Sequence, residues 1–302
     1  MKQLAIFTAP KPFRNQHITV IQRNAIQSWR EMGSNVEVLV VGEDEGVAEA
    51  AAELGVTQIK NVKRNQHGTP LVSSIFHLAR EASQAPLLAY VNADLLLFPE
   101  TLHIALNVLQ QRSEFVLLGQ RHDLDVHNRL DFSRDWPDWL RSEVQARGHL
   151  HPMGGSDYFI FPRQLFSQIP NFAIGRAGWD NWMIYHAISQ NWPTIDATSS
   201  LKVVHQNHDY AHLAGEQTHQ RHPETFENTA LAGGMRKMYM LLDVEYELID
   251  GKIRQVHWTL PRFLRRLERR LQPDELVGHG PRWYLLRGLR KLRRALSGIG
   301  IS

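Results

Sequence analysis

The sequence predicts an α/β fold, with a doubly wound, mostly parallel sheet and a basic helical extension at the C-terminus. Over the first half of the chain, apolar runs typical of buried strands alternate with segments whose apolar residues recur at helical spacing. The 302 residues, 43% hydrophobic and 22% charged, have an ordinary globular composition and suffice for one sizeable core. The third observation is that basic residues are concentrated after residue 251.

The first half of the chain supplies the alternation of strands and helices. Strands are predicted at 4–9, 36–42, 56–59 and 86–91. Helices are predicted at 18–32, 47–54, 71–82 and 99–110, the first of them ending at Gly33. Strands that are separated by helices in this way form parallel sheets with helices on both faces.

The second half of the chain is less regular. Residues 115–126 are predicted to form one strand, and the segment GGSDYFIFPRQLF (154–166) is predicted to be a short strand that meets a helix. A helix is expected at 181–189. The segment 194–212 is expected to give one more strand and a histidine-rich loop. We find no internal repeat.

Composition restricts the compartment and the chemistry. No uninterrupted apolar stretch approaches the roughly 18 to 20 residues needed to cross a bilayer, and Pro10 and Pro12 interrupt the N-terminus too early for a secretory signal. We therefore expect a cytoplasmic protein. Because the chain has no cysteine, disulfides, thiolate zinc sites and a cysteine nucleophile are excluded, and any metal ion must be held by oxygen or imidazole.

The net charge of +3 conceals an asymmetry between the two parts of the chain. Residues 252–302 contain 13 of the 34 Lys and Arg residues and three of the 31 Asp and Glu residues, a net charge of +10. The remainder therefore carries a net charge of −7. A nucleic-acid-binding domain spreads its positive charge over the folded face that meets phosphate, so nucleic acid is not an expected partner.

The tripeptide Asn92-Ala93-Asp94 directly follows the strand predicted at 86–91. Open α/β sheets bind ligands beyond the carboxyl ends of their strands, so these side chains are expected at a cleft. If a nucleotide diphosphate binds there, Asp94 is suited to hold Mg²⁺ or Mn²⁺ on the phosphates, and Asn92 to contact ribose or metal-bound water. The alternative is that both residues cap the helix predicted at 99–110.

Asp180 lies in the glycine-containing segment GRAGWDNW, where the helix predicted at 181–189 begins. A carboxylate in such a loop is suited to accept the proton of an incoming hydroxyl group. A positioned general base contributes roughly 10² to 10⁴ in rate. The alternative is that Asp180 only caps the helix.

Two histidines compete for a place beside the metal ion. His205 follows the predicted strand LKVV (201–204), and an imidazole there would complete a mixed oxygen and nitrogen shell, which Mn²⁺ tolerates better than Mg²⁺. His208 is the competing candidate, and His205 is preferred. The alternative for either residue is an ordinary hydrogen-bonded histidine.

These motifs, in this order, resemble the GT-A class of nucleotide-sugar-dependent glycosyltransferases, in particular bacterial enzymes of the glycosyltransferase family 2 type. The resemblance covers about residues 3–215 and includes a first strand with a proline loop, an acidic motif, a GWD-type motif and a late histidine. The acidic motif of the class is DxD, which Asn92-Ala93-Asp94 matches with Asn in the first position. The resemblance implies that Asp94 is a metal ligand and that Asn92 contacts ribose.

Further site residues are implied by the same resemblance. GRAGWDNWM is similar to the GWGGED-type segment of inverting members such as the β-1,4-galactosyltransferases, which implies that Asp180 is the base. The segment PFRN (12–15) is similar to their nucleotide-binding loop. In a retaining enzyme, by contrast, Asp157 would be the catalytic carboxylate. The implied nucleotide contacts are Thr8, Ala9, Pro10, Arg14, Gly68 and Thr69, and the implied donor-sugar contacts are Gly155, Asp157 and Arg176.

The resemblance implies a hexosyltransferase-type enzyme that uses a nucleotide diphosphate-sugar, with a UDP-sugar favoured, together with Mn²⁺ or Mg²⁺. Its acceptor would be a saccharide or glycolipid in polysaccharide biosynthesis. Residues 1–250 would form the GT-A domain, with a nucleotide-binding half (about 1–110) and a donor-sugar and acceptor half (111–250). The alternatives are a sugar nucleotidyltransferase and a catalytically inactive nucleotide-sugar-binding protein.

The tail, residues 251–302, is predicted to form two basic amphipathic helices. Leucines recur at helical spacing in 260–271 and in 285–296, with Arg and Lys residues among them. Such helices bind the surface of anionic membranes, which would make the protein peripheral on the inner face of the cell membrane. The alternative is that the apolar stripes dock onto the acidic catalytic domain or a second subunit.

Overall fold

The computed structural model describes residues 1–133, 135–208, 222–274 and 280–297, which form a mixed α/β fold with two sheets. The large sheet contains β1 (Leu4–Thr8), β2 (Val36–Val41), β3 (Thr57–Ile59), β4 (Leu87–Val91), β6 (Val116–Leu118), β9 (Tyr158–Pro162), β10 (Thr194–Asp196), β12 (Tyr246–Ile249) and β13 (Lys252–Gln255). The small sheet contains β5 (Leu95–Leu97), β7 (His122–Leu124), β8 (His149–Leu150) and β11 (Val203–Gln206).

The large sheet is mostly parallel. Its strand order is β13-β12-β10-β6-β9-β4-β1-β2-β3. Parallel pairs join β4, β1, β2 and β3 on one side and β6, β10 and β12 on the other. The antiparallel strand β9 lies between the two groups, and β13 is antiparallel at the edge. In the small sheet, whose order is β5-β11-β7-β8, only β11 and β7 are parallel.

Helices cover both faces of the large sheet. They are α1 (Gln16–Arg30), α2 (Val47–Leu54), α3 (Val72–Ala82), α4 (Thr101–Gln111), α5 (Trp136–Arg147), α6 (Trp179–Ser189), α7 (Pro223–Leu231), α8 (Leu260–Leu271) and α9 (Pro281–Ser297). Alternate residues of β1 enter different cores: Leu4 and Ile6 pack with α1, α2 and α4, whereas Ala5 and Phe7 pack with α3 and α6. The predicted doubly wound α/β fold is therefore confirmed.

Two local predictions in the second half are wrong. The single strand expected at 115–126 is divided into β6 and β7, which lie in different sheets. The chain leaves the large sheet at Gly119, where a Cβ atom would lie 2.6 Å from the Tyr158 hydroxyl oxygen. The helix expected after β9 is a turn, because Phe166 has a φ of 53°, a left-handed conformation that a helix of L-residues does not continue.

A hairpin that the sequence analysis missed adds two strands to the large sheet. β12 and β13 are joined by Asp250 and Gly251, which both have positive φ angles, 51° and 72°. Asp-Gly between two short strands is a strong hairpin signal, so this turn was recognisable in the sequence. The boundary expected between residues 250 and 251 falls within this turn, and β13 belongs to the sheet.

The two predicted tail helices are present as α8 and α9, and they pack against each other. Arg265 of α8 pairs with Asp243 at 2.7 Å, and Arg293 of α9 pairs with Glu268 at 2.6 Å. These four side chains are almost fully buried. The two ion pairs therefore attach α8 to the sheet domain and α9 to α8. Among the described residues, no helix is long and apolar enough to span a membrane. Residues 275–279 and 298–302 of the predicted tail lie outside the described ranges.

Candidate active site

A cavity of about 520 Å³ lies at the edge of the large sheet where β1 and β4 end. Residues that directly follow these strands line it, including Ala9 and Pro10 after β1 and Asn92 and Asp94 after β4. The chain therefore places these residues at the carboxyl ends of parallel strands, where α/β sheets bind ligands.

The pairing of β4 with β9 brings two predicted site residues together. Because Val91 is opposite Tyr158 in this antiparallel pair, Asn92 and Asp157 meet just beyond it. The Asn92 amide nitrogen donates to the Asp157 carboxylate at 2.8 Å, and the Tyr90 hydroxyl donates to the Asn92 side-chain oxygen at 2.8 Å. Asn92 therefore links the strand end to Asp157. Residues 92–94 do not cap a helix, since β5 follows them directly and Glu100 is the N-cap of α4.

Asp94, His205 and His208 form a cluster whose possible ligand atoms lie within 4.8 Å of one another. Asp94 Oδ2 is 3.1 Å from His208 Nε2 and 3.8 Å from His205 Nε2. His205 lies within β11 rather than after it, opposite Leu95 of β5. The structure thus brings both competing histidines to the predicted metal ligand. Of the expected histidine-rich loop, residues 209–221 lie outside the described part of the chain.

The donor set of this cluster fits a divalent cation. Asp94 Oδ1 is buried and has no hydrogen-bond partner among the described residues, which leaves one carboxylate oxygen free to bind an ion. Burial alone would raise the pKa of Asp94, but the hydrogen bond from His208 and the charges of His205 and Lys11 hold it below its usual range. One carboxylate and two imidazoles suit Mn²⁺ better than Mg²⁺.

Asp123 lies beside the cluster and was not identified from the sequence. In the small sheet, it is the direct partner of His205 across the parallel pair β7 and β11. Burial opposes ionisation of Asp123, but hydrogen bonds with His205, His151 and Arg121 keep its pKa below the usual range. Arg121 also pairs with Asp157. Its guanidinium therefore links Asp123, beside the cluster, to Asp157, which is hydrogen-bonded to Asn92.

Asp180 lies in the first turn of α6, whose N-cap is Gly178, and it lines the same cavity. Burial and the neighbouring charge of Asp157 raise the pKa of Asp180 to about 6, although backbone hydrogen bonds at the helix start act in the opposite direction. A carboxylate with this pKa is ionised at neutral pH and accepts a proton more readily than an ordinary aspartate.

The nucleotide contacts predicted from the sequence separate into two groups. Ala9, Pro10, Gly68, Thr69 and Asn92 line the cavity. Two others do not line it. Thr8 is fully buried in β1, and Arg14 is exposed and pairs with Glu45 at 2.6 Å. The Arg14 side chain is 73% exposed, so it lies at the surface outside the cavity. Cavity residues that sequence reasoning missed include Lys11, Asp44, Arg64 and Tyr90.

Arg176, a predicted donor-sugar contact, lines the cavity and is held by Glu224 at 2.7 Å. Glu224 is buried in the first turn of α7, and it also accepts a hydrogen bond from Asn65 at 2.6 Å. This carboxylate therefore joins the loop containing Gly68 to the loop containing Arg176. Its role was not visible in the sequence, since its partners are 48 and 159 residues away.

Comparisons with known proteins give distant structural similarities. No protein-family model matches the chain, and no curated protein matches its sequence. A complex of glucosyl-3-phosphoglycerate synthase from Mycobacterium tuberculosis with Mn²⁺, UDP and glucosyl-3-phosphoglycerate is 13% identical, with a TM-score of 0.46, 86% of this chain covered and 88% of the other. A mycobacterial protein is 14% identical, with a TM-score of 0.47 and coverages of 85% and 84%.

The same synthase in complex with Mn²⁺, UDP-glucose and phosphoglyceric acid is 14% identical to this chain, with a TM-score of 0.44 and coverages of 76% and 78%.

Proposed function

We propose that this protein is a glycosyltransferase that moves a sugar from a nucleotide diphosphate-sugar, with a UDP-sugar favoured, to a saccharide or lipid-linked acceptor. The observation that carries the proposal is that Asp94, His205 and His208 lie in the same cavity as Asp180, a carboxylate with a raised pKa. A cation site and a candidate base in one cavity are the two parts that this transfer requires.

Asp94, His205 and His208 would hold Mn²⁺ or Mg²⁺. The bound ion would supply electrostatic stabilisation of the diphosphate as it leaves the sugar. The remaining contacts are made by the chain itself. Ala9, Pro10, Gly68 and Thr69 line the cavity and would contact the nucleotide.

Asp180 would accept the proton of the acceptor hydroxyl as its oxygen attacks the anomeric carbon. This single displacement inverts the configuration and requires no covalent intermediate on the protein. Asp157 and Arg176 would bind hydroxyl groups of the donor sugar. Asp157 is also the candidate nucleophile of a retaining mechanism, but its carboxylate is bound by Arg121 and Asn92. Those two contacts favour an orienting role for Asp157.

The metal site is tested by titrating the full chain with UDP in the presence of Mn²⁺, and again after chelation with EDTA. We expect Asp94→Ala to abolish metal-dependent UDP binding. Chelation of the metal ion by EDTA should cause the same loss in the wild type. Equal UDP affinity with and without EDTA in the wild type would contradict the proposed site.

The reaction is tested separately by a donor hydrolysis and transfer assay with a panel of nucleotide sugars. UDP binding without hydrolysis or transfer of any donor would favour an inactive binding protein. Formation of a nucleotide sugar from a nucleoside triphosphate and a sugar phosphate would favour the nucleotidyltransferase alternative.

We also propose that the outer face of α8 and α9 binds anionic membrane. The inner face of these helices contains the buried ion pairs described above. On the exposed side, large apolar side chains lie among the basic residues Arg266, Arg287 and Lys291. Apolar residues interspersed with cations are typical of helices at an anionic lipid surface. The exposed apolar side chains are Trp258, Leu260, Phe263, Tyr284, Leu285 and Leu292.

Sedimentation with vesicles tests this surface. We expect the protein to sediment with vesicles that contain anionic lipid and to remain in solution with neutral vesicles, and expect Phe263→Ser/Leu285→Ser to weaken sedimentation. Retention by duplex DNA but not by anionic vesicles would favour a nucleic-acid arm instead.

A further inference from the structure

Asp123 and His205 are directly opposite each other in the small sheet. They are register partners in the parallel pair β7 and β11, and Asp123 Oδ1 lies 3.2 Å from His205 Nδ1. His205 Nε2, at the other side of the ring, lies 3.8 Å from Asp94 Oδ2. The imidazole therefore stands between two carboxylates, one on each nitrogen.

The partners of His205 Nδ1 determine which nitrogen carries the proton. Besides the Asp123 carboxylate, the side-chain oxygen of Asn207 lies 3.3 Å from Nδ1. Both partners are oxygen acceptors, so they favour the tautomer with hydrogen on Nδ1. The lone pair of Nε2 is then directed toward Asp94 and the candidate metal site.

Asp123 is itself held by two further side chains. Arg121 Nε donates to Asp123 Oδ1 at 2.9 Å, and His151 Nδ1 lies 2.7 Å from Asp123 Oδ2. Arg121 also pairs with Asp157. These contacts fix the carboxylate, so that it can fix the orientation of the imidazole in turn.

We propose that Asp123 is a positioning residue of the metal site, which holds His205 in the tautomer and orientation that present Nε2 to the ion. This inference rests on the proposed metal-dependent function. Removal of such a partner typically lowers metal affinity by about 10-fold to 100-fold. No sequence pattern indicates this role, because Asp123 and His205 are 82 residues apart and are joined through the pairing of β7 with β11.

The test measures Mn²⁺ affinity of the full chain by electron paramagnetic resonance, in which free Mn²⁺ is counted directly. We expect Asp123→Asn to bind Mn²⁺ about 10-fold to 100-fold more weakly than the wild type. The matched control is Asp138→Asn, which removes the same charge from an exposed site on α5. The Asp138 side chain is 71% exposed and pairs with Arg141, outside the contacts of His205, so its substitution should leave the affinity within about twofold, as expected for a screened surface charge.

A double-variant cycle shows whether Asp123 acts through His205. We expect Asp123→Asn to weaken Mn²⁺ binding in the wild type but to add little in a His205→Ala background, because the residue through which it acts is then absent. Nitrogen modulation in pulsed spectra of bound Mn²⁺ should also weaken in Asp123→Asn, as it does in His205→Ala. Circular dichroism establishes that each variant is folded.

The outcomes separate this inference from the proposed function. If the wild type does not bind Mn²⁺, the proposed metal site is wrong. If the wild type binds Mn²⁺ but Asp123→Asn binds it equally well, only the positioning role is overturned. The positioning role would also be overturned if Asp123→Asn lost the same affinity with and without His205, or if Asp138→Asn lost as much as Asp123→Asn, because either result would show a general effect of charge.

Discussion

Gly155 leaves the space that the carboxylate of Asp180 occupies. A Cβ atom built on residue 155 would overlap Asp180 Oδ2, and it would lie 3.0 Å from the carboxylate carbon. The family resemblance implies that Gly155 contacts the donor sugar, and in the structure this glycine faces the candidate base. Since Asp180 belongs to α6 and Gly155 precedes β9, the absence of one side chain allows the two elements to approach at the cavity.

Gly155→Ala should displace Asp180 and suppress sugar transfer. The new methyl group cannot share space with Oδ2, so the carboxylate must move from the position where it would receive the proton of the acceptor. A misplaced base loses much of the rate enhancement of roughly 10²-fold to 10⁴-fold that general base catalysis contributes. UDP and Mn²⁺ binding should change little, because Asp94 and both histidines are untouched. Transfer rates and UDP titrations measure the two effects separately.

Gly154→Ala is the control for this substitution. A Cβ atom on residue 154 would meet only the Pro152 carbonyl oxygen, at 3.9 Å. We expect near wild-type transfer in this variant. If both alanine variants retain full activity, the close packing of Gly155 against Asp180 has no part in the reaction.

The pH dependence of transfer should report the ionisation of Asp180. The base accepts a proton only when it is ionised, and its pKa is raised to about 6 by burial and by Asp157. The value of kcat/KM should therefore rise through pH 6 and level off above it. Asp180→Asn should strongly reduce transfer, and its residual rate should not rise through pH 6. A profile that remains flat down to pH 4.5 would exclude Asp180 as the base.

The same pKa predicts that Asp180 lowers the stability of the folded protein at neutral pH. In the folded protein the pKa of Asp180 is about 6, which is above its value in the unfolded chain. At pH values between these two pKa values the folded state binds more protons than the unfolded state, so the folded protein loses stability as the pH rises. Asp180→Asn should raise the free energy of unfolding by at most about 3 kcal/mol at pH 7.5, since one pKa unit corresponds to about 1.4 kcal/mol. The gain should shrink at pH 4.5.

Urea unfolding of metal-free protein at both pH values measures this effect. Asp94→Asn is the contrasting variant, because the pKa of Asp94 is lowered in the folded protein. The Asp94 carboxylate therefore stabilises the fold above its unfolded pKa, and this stabilisation is lost as the pH falls through the lower folded value. Its substitution should lower stability at pH 7.5. A loss of stability in Asp180→Asn would contradict this prediction, because it would show that burial of the ionised Asp180 carboxylate does not destabilise the fold.

The sequence predicts the strands and helices best where the hydrophobic pattern is local. β1, β2, β4 and the helices between them agree with the predictions to within a few residues, because each buries a continuous run or one face. Local pattern also predicts a cleft position for three site residues. Asn92 and Asp94 directly follow a predicted strand, and Asp180 lies where a predicted helix begins.

The remaining parts of the site depend on contacts between distant segments. Asp123 adjoins His205 only because β7 leaves the large sheet and pairs with β11, and the sequence pattern at 115–126 did not show that division. Glu224 contacts Arg176 through the packing of α7 against two loops. Arg14, which the resemblance implies as a nucleotide contact, does not line the cavity, and a four-residue similarity carries no information about its partner Glu45.

The attachment of α8 leads to a final prediction. Arg265 and Asp243 form a buried pair, in which the Asp243 side chain is 1% exposed and the Arg265 side chain 7% exposed. Arg265→Ala leaves the buried carboxylate without its main partner, so it should cost about 3 to 5 kcal/mol in urea unfolding and make the tail sensitive to trypsin. Arg270→Ala, on the exposed side of the same helix, should do neither. If the two variants are equally stable, this pair does not hold α8 on the sheet domain.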